Sequence, residues 1–197
     1  MLVTLLLVAA GYLLGSLATA ILVSRALGVA DPRSGGSGNP GATNVLRLAG
    51  RKAAALTLAG DVLKGAVPVL AARAAELPPA MVALVGLAAF LGHLFPVFFG
   101  FKGGKGVATA LGALLGLEPL LGAAVLVTWL VVAGVTRYSS LAALVASVLA
   151  PGYAWVLSGD RGLAGTVAVM AVLLVWRHRA NIRRLLAGEE GRIGSAE

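Results

Sequence analysis

Three ordered clusters carry most of the polar chemistry available to this chain. The first is Ser34-Gly35-Gly36-Ser37-Gly38-Asn39-Pro40-Gly41-Ala42-Thr43-Asn44-Val45-Leu46-Arg47. Its glycines permit tight turns that expose backbone N–H groups, and Ser37, Asn39, Thr43, Asn44 and Arg47 add side-chain donors, a combination suited to a phosphate. The stretch Gly36 to Gly41 also fits G-x-G-x-x-G, but no strand precedes it and no alternating strand and helix pattern surrounds it, so a dinucleotide loop is excluded. A P-loop is excluded as well, because Ala42 stands where that motif needs lysine.

The second cluster runs from Gly92-His93 through Phe101-Lys102-Gly103-Gly104-Lys105-Gly106 to Thr109. Here Lys105 and the backbone of Gly103, Gly104 and Gly106 stand just before a predicted helix N-terminus, whose unpaired N–H groups and dipole favour an anion. Lys102 adds a second cation, and His93 is read either as a packing residue or as a donor or acceptor in the site. The third cluster, Trp176 to Leu186, reads as a basic amphipathic continuation of the last apolar helix, with His178 and Asn181 at i and i+3 on one face. A smaller turn, Arg137-Tyr138-Ser139-Ser140, offers two hydroxyls that would otherwise serve as helix caps.

The elements that must position these groups are apolar helices. Hydrophobic residues make up 59% of the 197, charged residues only 12%, and mean hydropathy is +0.94, the balance of an integral membrane protein and not of a soluble domain. Seven transmembrane spans are expected, over about residues 2–24, 53–72, 79–99, 107–117, 119–135, 140–157 and 163–175. The fourth, at about 16 Å of helix, is short for a hydrocarbon core of about 30 Å, and six crossings with a break at Glu118-Pro119 is the alternative. A secretory leader is rejected, because no Lys or Arg precedes the first apolar run and the run continues beyond Ala18-Thr19-Ala20. Asp61 and Lys64 share a face of the second span and are read as a structural ion pair.

With seven spans, Arg25, Arg33, Arg47, Arg51, Lys52, Lys102, Lys105, Arg137 and the tail arginines fall on one side, and only Arg73 and Arg161 on the other. By the positive-inside rule the N-terminus is outside, the C-terminus is cytoplasmic, and all three clusters lie at the cytoplasmic face. The chain is expected to form a single membrane-embedded domain, residues 1–197, with a short basic tail from about 177. Absence of cysteine removes thiolate chemistry, and with two histidines and eight acids no protein-held metal is expected. The net charge of +8 fits anionic lipid or phosphorylated substrates, and no nucleic-acid partner is expected, since the cations lie between spans and not in a soluble module.

The three clusters together resemble the acyl-phosphate:glycerol-3-phosphate acyltransferase family, PlsY, of bacterial inner membranes. The resemblance rests on Gly36 to Arg47, on Gly92 to Pro96 with Phe101 to Thr109, and on His178, Ala180, Asn181, Ile182, Arg184 and Leu185 with Gly188-Glu189. It implies transfer of a fatty acyl group from acyl phosphate to the sn-1 hydroxyl of glycerol 3-phosphate, giving lysophosphatidic acid and phosphate, with no metal or coenzyme. It implies catalytic roles for Ser37, Arg47, Lys105, His178 and Asn181. Substrate and phosphate contacts, or the shape of the loops that make them, fall to Gly38, Asn39, Gly41, Thr43, Asn44, His93, Lys102, Gly103, Gly104, Ser139 and Ser140. A carrier for a phosphorylated anion and a non-catalytic lipid-binding scaffold are the competing classes. Against the carrier, the cations gather at one face and the second half lacks a counterpart to the first cluster.

Overall fold

A computed structural model describes residues 1–194, all of them in helices, turns or loops, with no strand among the described residues. The chain divides into two compact units, Met1–Leu117 and Glu118–Glu197.

The first unit contains α1 (Leu2–Gly15), α2 (Thr19–Ala26), α3 (Ala42–Ala74), α4 (Pro79–Leu94), a short 3-10 turn (Val97–Phe99) and α5 (Val107–Leu117). Two crossings between these helices are built on small residues. A Cβ on Gly11 would crowd the Val85 carbonyl, one on Gly15 would overlap the Ala89 carbonyl, and one on Gly92 would overlap the Tyr12 carbonyl, so α1 lies directly on the α4 backbone. In the same way Gly65 meets the Thr109 carbonyl and Gly112 meets the Val62 carbonyl, bringing α3 onto α5. Lipid supplies no hydrophobic drive between helices, and close approach through Gly-x-x-x-Gly pairs such as Gly11/Gly15 and Gly112/Gly116 maximises dispersion contact instead.

The expected first span, residues 2–24, is not continuous. Ser16 to Ala18 separates α1 from α2 with a bend of 49°. The Leu17 carbonyl at this break accepts a hydrogen bond from the buried Lys64 ammonium at 2.7 Å. Helix α3 begins earlier than residue 53, at Ala42, and is interrupted at Gly50, whose φ of 78° and ψ of −176° only glycine adopts cheaply.

The second unit contains α6 (Pro119–Thr136), α7 (Ser139–Ser158), α8 (Arg161–Arg177) and α9 (Arg179–Ala187). Proline at the first position of α6 suits a helix start, and the Glu118 side chain caps it by accepting from the Leu120 N–H at 3.4 Å. Between α7 and α8, Gly159 closes one helix in the left-handed region and Asp160 opens the next, accepting from the N–H groups of Gly162 and Leu163 at 2.7 and 3.2 Å. The basic tail is not a continuation of the last apolar helix, as its sequence suggests. α8 and α9 meet at His178 with a 56° bend.

By length and apolarity, four segments among the described residues are able to cross a membrane: Ala42–Ala74, Pro79–Phe99, Pro119–Thr136 and Ser139–Ser158. Each bent pair reaches that length when taken together, which raises the number to six, and α5 is a shorter apolar helix with the bounds read from the sequence.

Candidate active site

In the first unit the glycine-rich loop is held from within by Asn44. Its side-chain oxygen accepts from the Ser37 N–H at 2.9 Å, and its amide nitrogen donates to the carbonyls of Pro32 at 2.7 Å and Gly35 at 3.2 Å. Asn44 is therefore buried and acts on the loop's shape. Gly36 and Gly38 lie in the left-handed region, and a Cβ on Gly36 would fall on the Asn44 oxygen. This curl exposes Ser37 and Gly38, while Asn39 stays half-buried and Gly41 forms the N-cap of α3. Thr43 and Arg47, four residues apart in the first turns of α3, present exposed side chains on one face.

The lysine-glycine loop is shaped by the end of α4. The Gly104 N–H donates to the His93 carbonyl at 3.2 Å, a Cβ on Gly103 would overlap that carbonyl, and a Cβ on Gly104 would overlap His93 Nε2. Two lysines flank two glycines because the backbone passes against the imidazole with no room for side chains. Lys102 is exposed and Lys105 half-buried, immediately before Gly106 and the start of α5. A cavity large enough for about one water is lined by Gly15, Ala18, Pro40, Lys64, His93, Pro96, Gly103 and Gly104. It brings the first loop, through Pro40, to the second. The expected Asp61–Lys64 pair is present, with Nζ 2.8 Å from Oδ1, and His93 joins it at 3.5 Å through Nδ1.

In the second unit the polar groups are side chains packed almost out of solvent: His178 is 2% exposed, Asn181 4% and Ser140 7%. His178 stands at the bend between α8 and α9, and its Nδ1 lies 2.8 Å from the Leu174 carbonyl. That carbonyl only accepts, so Nδ1 carries a proton and donates to it. Asn181 donates through its amide nitrogen to Glu190 at 2.6 Å, and its side-chain oxygen is buried without a hydrogen-bond partner. The Arg184 guanidinium donates to the other Glu190 oxygen at 2.7 Å. Burial pushes the Glu190 carboxyl up, but the Ser140 hydroxyl, the Asn181 amide and the Arg184 guanidinium around it outweigh burial and hold it below the usual carboxylate range. Ser139 and Ser140 occupy the first positions of α7, where Tyr138 is the N-cap and its own side chain makes no capping bond.

Glu190 is the residue that sequence reasoning passed over. Its signal was available in Gly188, whose left-handed backbone (φ 72°) ends α9 and turns the chain back. Beyond it the tail pairs with the α6–α7 turn: the Ile193 N–H donates to the Arg137 carbonyl at 2.7 Å, the Arg137 guanidinium donates to the Ile193 carbonyl at 2.9 Å, and Arg192 donates to the Tyr138 hydroxyl at 3.2 Å. Among the described residues no three His, Cys, Asp or Glu side chains gather as a metal site.

Apolar helices that hold glycine-built, cation-bearing loops define a class: an all-helical integral membrane protein equipped to handle anions. The sequence model described as glycerol-3-phosphate acyltransferase matches residues 5–188, and the chain belongs to that family. It is 60% identical over 189 residues to the glycerol-3-phosphate acyltransferase of Thioalkalivibrio sulfidiphilus, covering 96% of this chain and 93% of the relative. With the enzyme of that name from Thiobacillus denitrificans it shares 62% over 194 residues, 96% of this chain and 97% of the relative. Two solved structures of PlsY (YgiH), an integral membrane glycerol 3-phosphate acyltransferase, superpose on it at 41% identity and cover 97% of this chain. The glycerol 3-phosphate form has a TM-score of 0.92 and 96% of its own chain covered, and the lysophosphatidic acid form 0.89 and 95%. Membership of the PlsY family, expected from the three clusters, is borne out.

Proposed function

We propose that this protein acylates glycerol 3-phosphate at its sn-1 hydroxyl, taking the acyl group from acyl phosphate and releasing lysophosphatidic acid and inorganic phosphate. One observation carries the reading: relatives with the same fold at 41% identity are described in a glycerol 3-phosphate form and a lysophosphatidic acid form, an acceptor and its acylated product. An acyl phosphate donor suits the chemistry of the loops, since two anions held close repel unless cations and N–H groups offset the Coulomb cost. Arg47 and Lys105 supply that charge, Ser37 donates a hydrogen bond, and Gly38, Asn39, Gly41, Thr43, Asn44, Lys102, Gly103 and Gly104 shape or line the loops. Ser139, Ser140, His178 and Asn181 complete the residue set, and the unspent oxygen of Asn181 suits an acceptor hydroxyl.

Acyl phosphate is already activated, so orientation does most of the work, and effective molarity alone supplies about 7–11 kcal/mol. The hydroxyl oxygen attacks the acyl carbonyl, the carbonyl–phosphate bond breaks, and the hydroxyl proton passes to the departing phosphate or to His178 Nε2. No acyl-enzyme forms on Ser37. The chain works as a single membrane-embedded domain over 1–197 with a basic tail from about 177. It crosses the bacterial inner membrane seven times, N-terminus outside, with the active site facing the cytoplasm.

Purified protein incubated with glycerol 3-phosphate and either acyl phosphate, acyl-CoA or acyl carrier protein tests the reading. Lysophosphatidic acid formed only with acyl phosphate supports it; product from either other donor, or none from any, overturns it. His178→Ala divides base from binder, because loss of a base lowers kcat by about 10² to 10⁴ while loss of a contact raises KM.

A further inference from the structure

We propose that Asp61 and Thr109 are positioning residues for the lysine-glycine loop: they fix the His93 ring that forms the loop's floor and thereby set where Lys105 meets a phosphorylated substrate. The inference rests on the anion-binding role given to that loop above.

His93 is gripped from both edges. On the Nδ1 edge, the Thr109 hydroxyl of α5 lies at 3.0 Å and the Asp61 carboxylate of α3 at 3.5 Å. Asp61 is itself fixed by Lys64, which spends a donor on the Leu17 carbonyl in the α1–α2 break. On the opposite edge, Nε2 abuts Gly104 so closely that a Cβ there would overlap it, and the His93 carbonyl accepts the Gly104 N–H. The ring has no free swing that leaves Gly103-Gly104 in place. Thr109 lies in the first turn of α5, the helix into which the loop runs, so His93 constrains the loop directly and through the helix it enters.

The energetic setting argues for placement over simple cohesion. Asp61, Lys64 and His93 are 3%, 7% and 6% exposed among apolar helices, and desolvating such charges costs enough that well-packed apolar residues often hold a fold as well or better. The same helices are already locked by backbone contacts at Gly15, Gly65, Gly92 and Gly112. What the charged cluster adds is one defined orientation of the imidazole.

The test uses two full-length variants, purified and assayed beside wild type. Thr109→Val keeps the shape and removes the hydroxyl, while Asp61→Leu with Lys64→Met removes both charges together and so leaves no unpaired buried ion. Both are expected to raise KM for glycerol 3-phosphate on the order of tenfold, the scale of one lost buried hydrogen bond, with kcat within about threefold of wild type. Amide hydrogen exchange of residues 102–106 is expected to quicken in both, with less slowing by added inorganic phosphate than in wild type. Wild-type KM with unchanged exchange overturns the proposal, and so does a fall in kcat at constant KM, which would place His93 in the chemistry. Wild-type protein that turns over no donor overturns the acyltransferase reading instead, and exchange at 102–106 then decides the positioning role by itself.

Discussion

The proposed ligand-facing groups of the two units are built in opposite ways. In the two loops of the first, glycine builds the surface and the charge sits on it: Arg47 and Lys102 are exposed, Lys105 half-buried, and the neighbouring backbone is bent by Gly36, Gly38 and Gly106 at positive φ. In the second, the polar groups are side chains buried around one carboxylate, Glu190, with a bent helix pair and a returning tail to hold them. Exposed cations on a glycine framework attract an anion at little desolvation cost. Buried amides and hydroxyls, already oriented, discriminate among hydroxyl-bearing ligands, because a wrong partner leaves a polar group unpaired.

The sharpest way to break this contrast is to remove charge from the first unit. Arg47→Ala and Lys105→Ala should each cost about 3 kcal/mol or more in transition-state binding, a hundredfold or greater loss in kcat/KM. Near-normal kinetics in either purified variant would show that the cation removed is not needed to hold the substrates. Gly104→Ala tests the framework itself: a Cβ overlapping the His93 ring forces the loop away, and a tenfold order of loss in kcat/KM is expected with Lys105 untouched.

Glu190→Gln probes the second unit. It should destabilise by about 1–3 kcal/mol through the weakened bonds to Asn181 and Arg184, read as a lowered thermal midpoint. The carboxyl is held below its ordinary value of about 4.5, so its stabilisation is fully present above that value and is lost as pH falls through the lower folded value. Wild type should therefore lose stability on acidification more steeply than Glu190→Gln, and parallel pH profiles would count against the cluster. The smallest effect is expected at Gly152, a helical glycine of α7 with nothing near a prospective Cβ. Gly152→Ala should stabilise by about 0.5–1 kcal/mol without altering kinetics.

What the sequence revealed followed the physics of each signal. Apolar windows bounded by Pro119 and by Ser139-Ser140 located α6 and α7 within a residue or so, because proline and the polar turn stop the pattern sharply. The same windows were blind to the break at Ser16 to Ala18 and the kink at Gly50, since a backbone bend leaves local hydropathy unchanged. The three glycine and cation clusters were legible as anion chemistry because that chemistry is local. The partners of His93 were not: Asp61 and Thr109 arrive from two other helices, and the Gly-x-x-x-Gly pairs that bring helices so close were visible but unread. Ser139 and Ser140, read as possible caps, fall one and two places inside α7, with Tyr138 at the N-cap position.

The bond from Lys64 to the Leu17 carbonyl also bears on how the chain is assembled. A helix break within hydrocarbon exposes backbone groups that lipid cannot satisfy, and here the donor comes from a residue 47 positions later in the chain. The Leu17 carbonyl therefore gains its partner only once α3 has packed against the break. A chain without α3 would leave the Leu17 carbonyl without this donor. The lysine thus ties the broken first helix to α3 through one side chain.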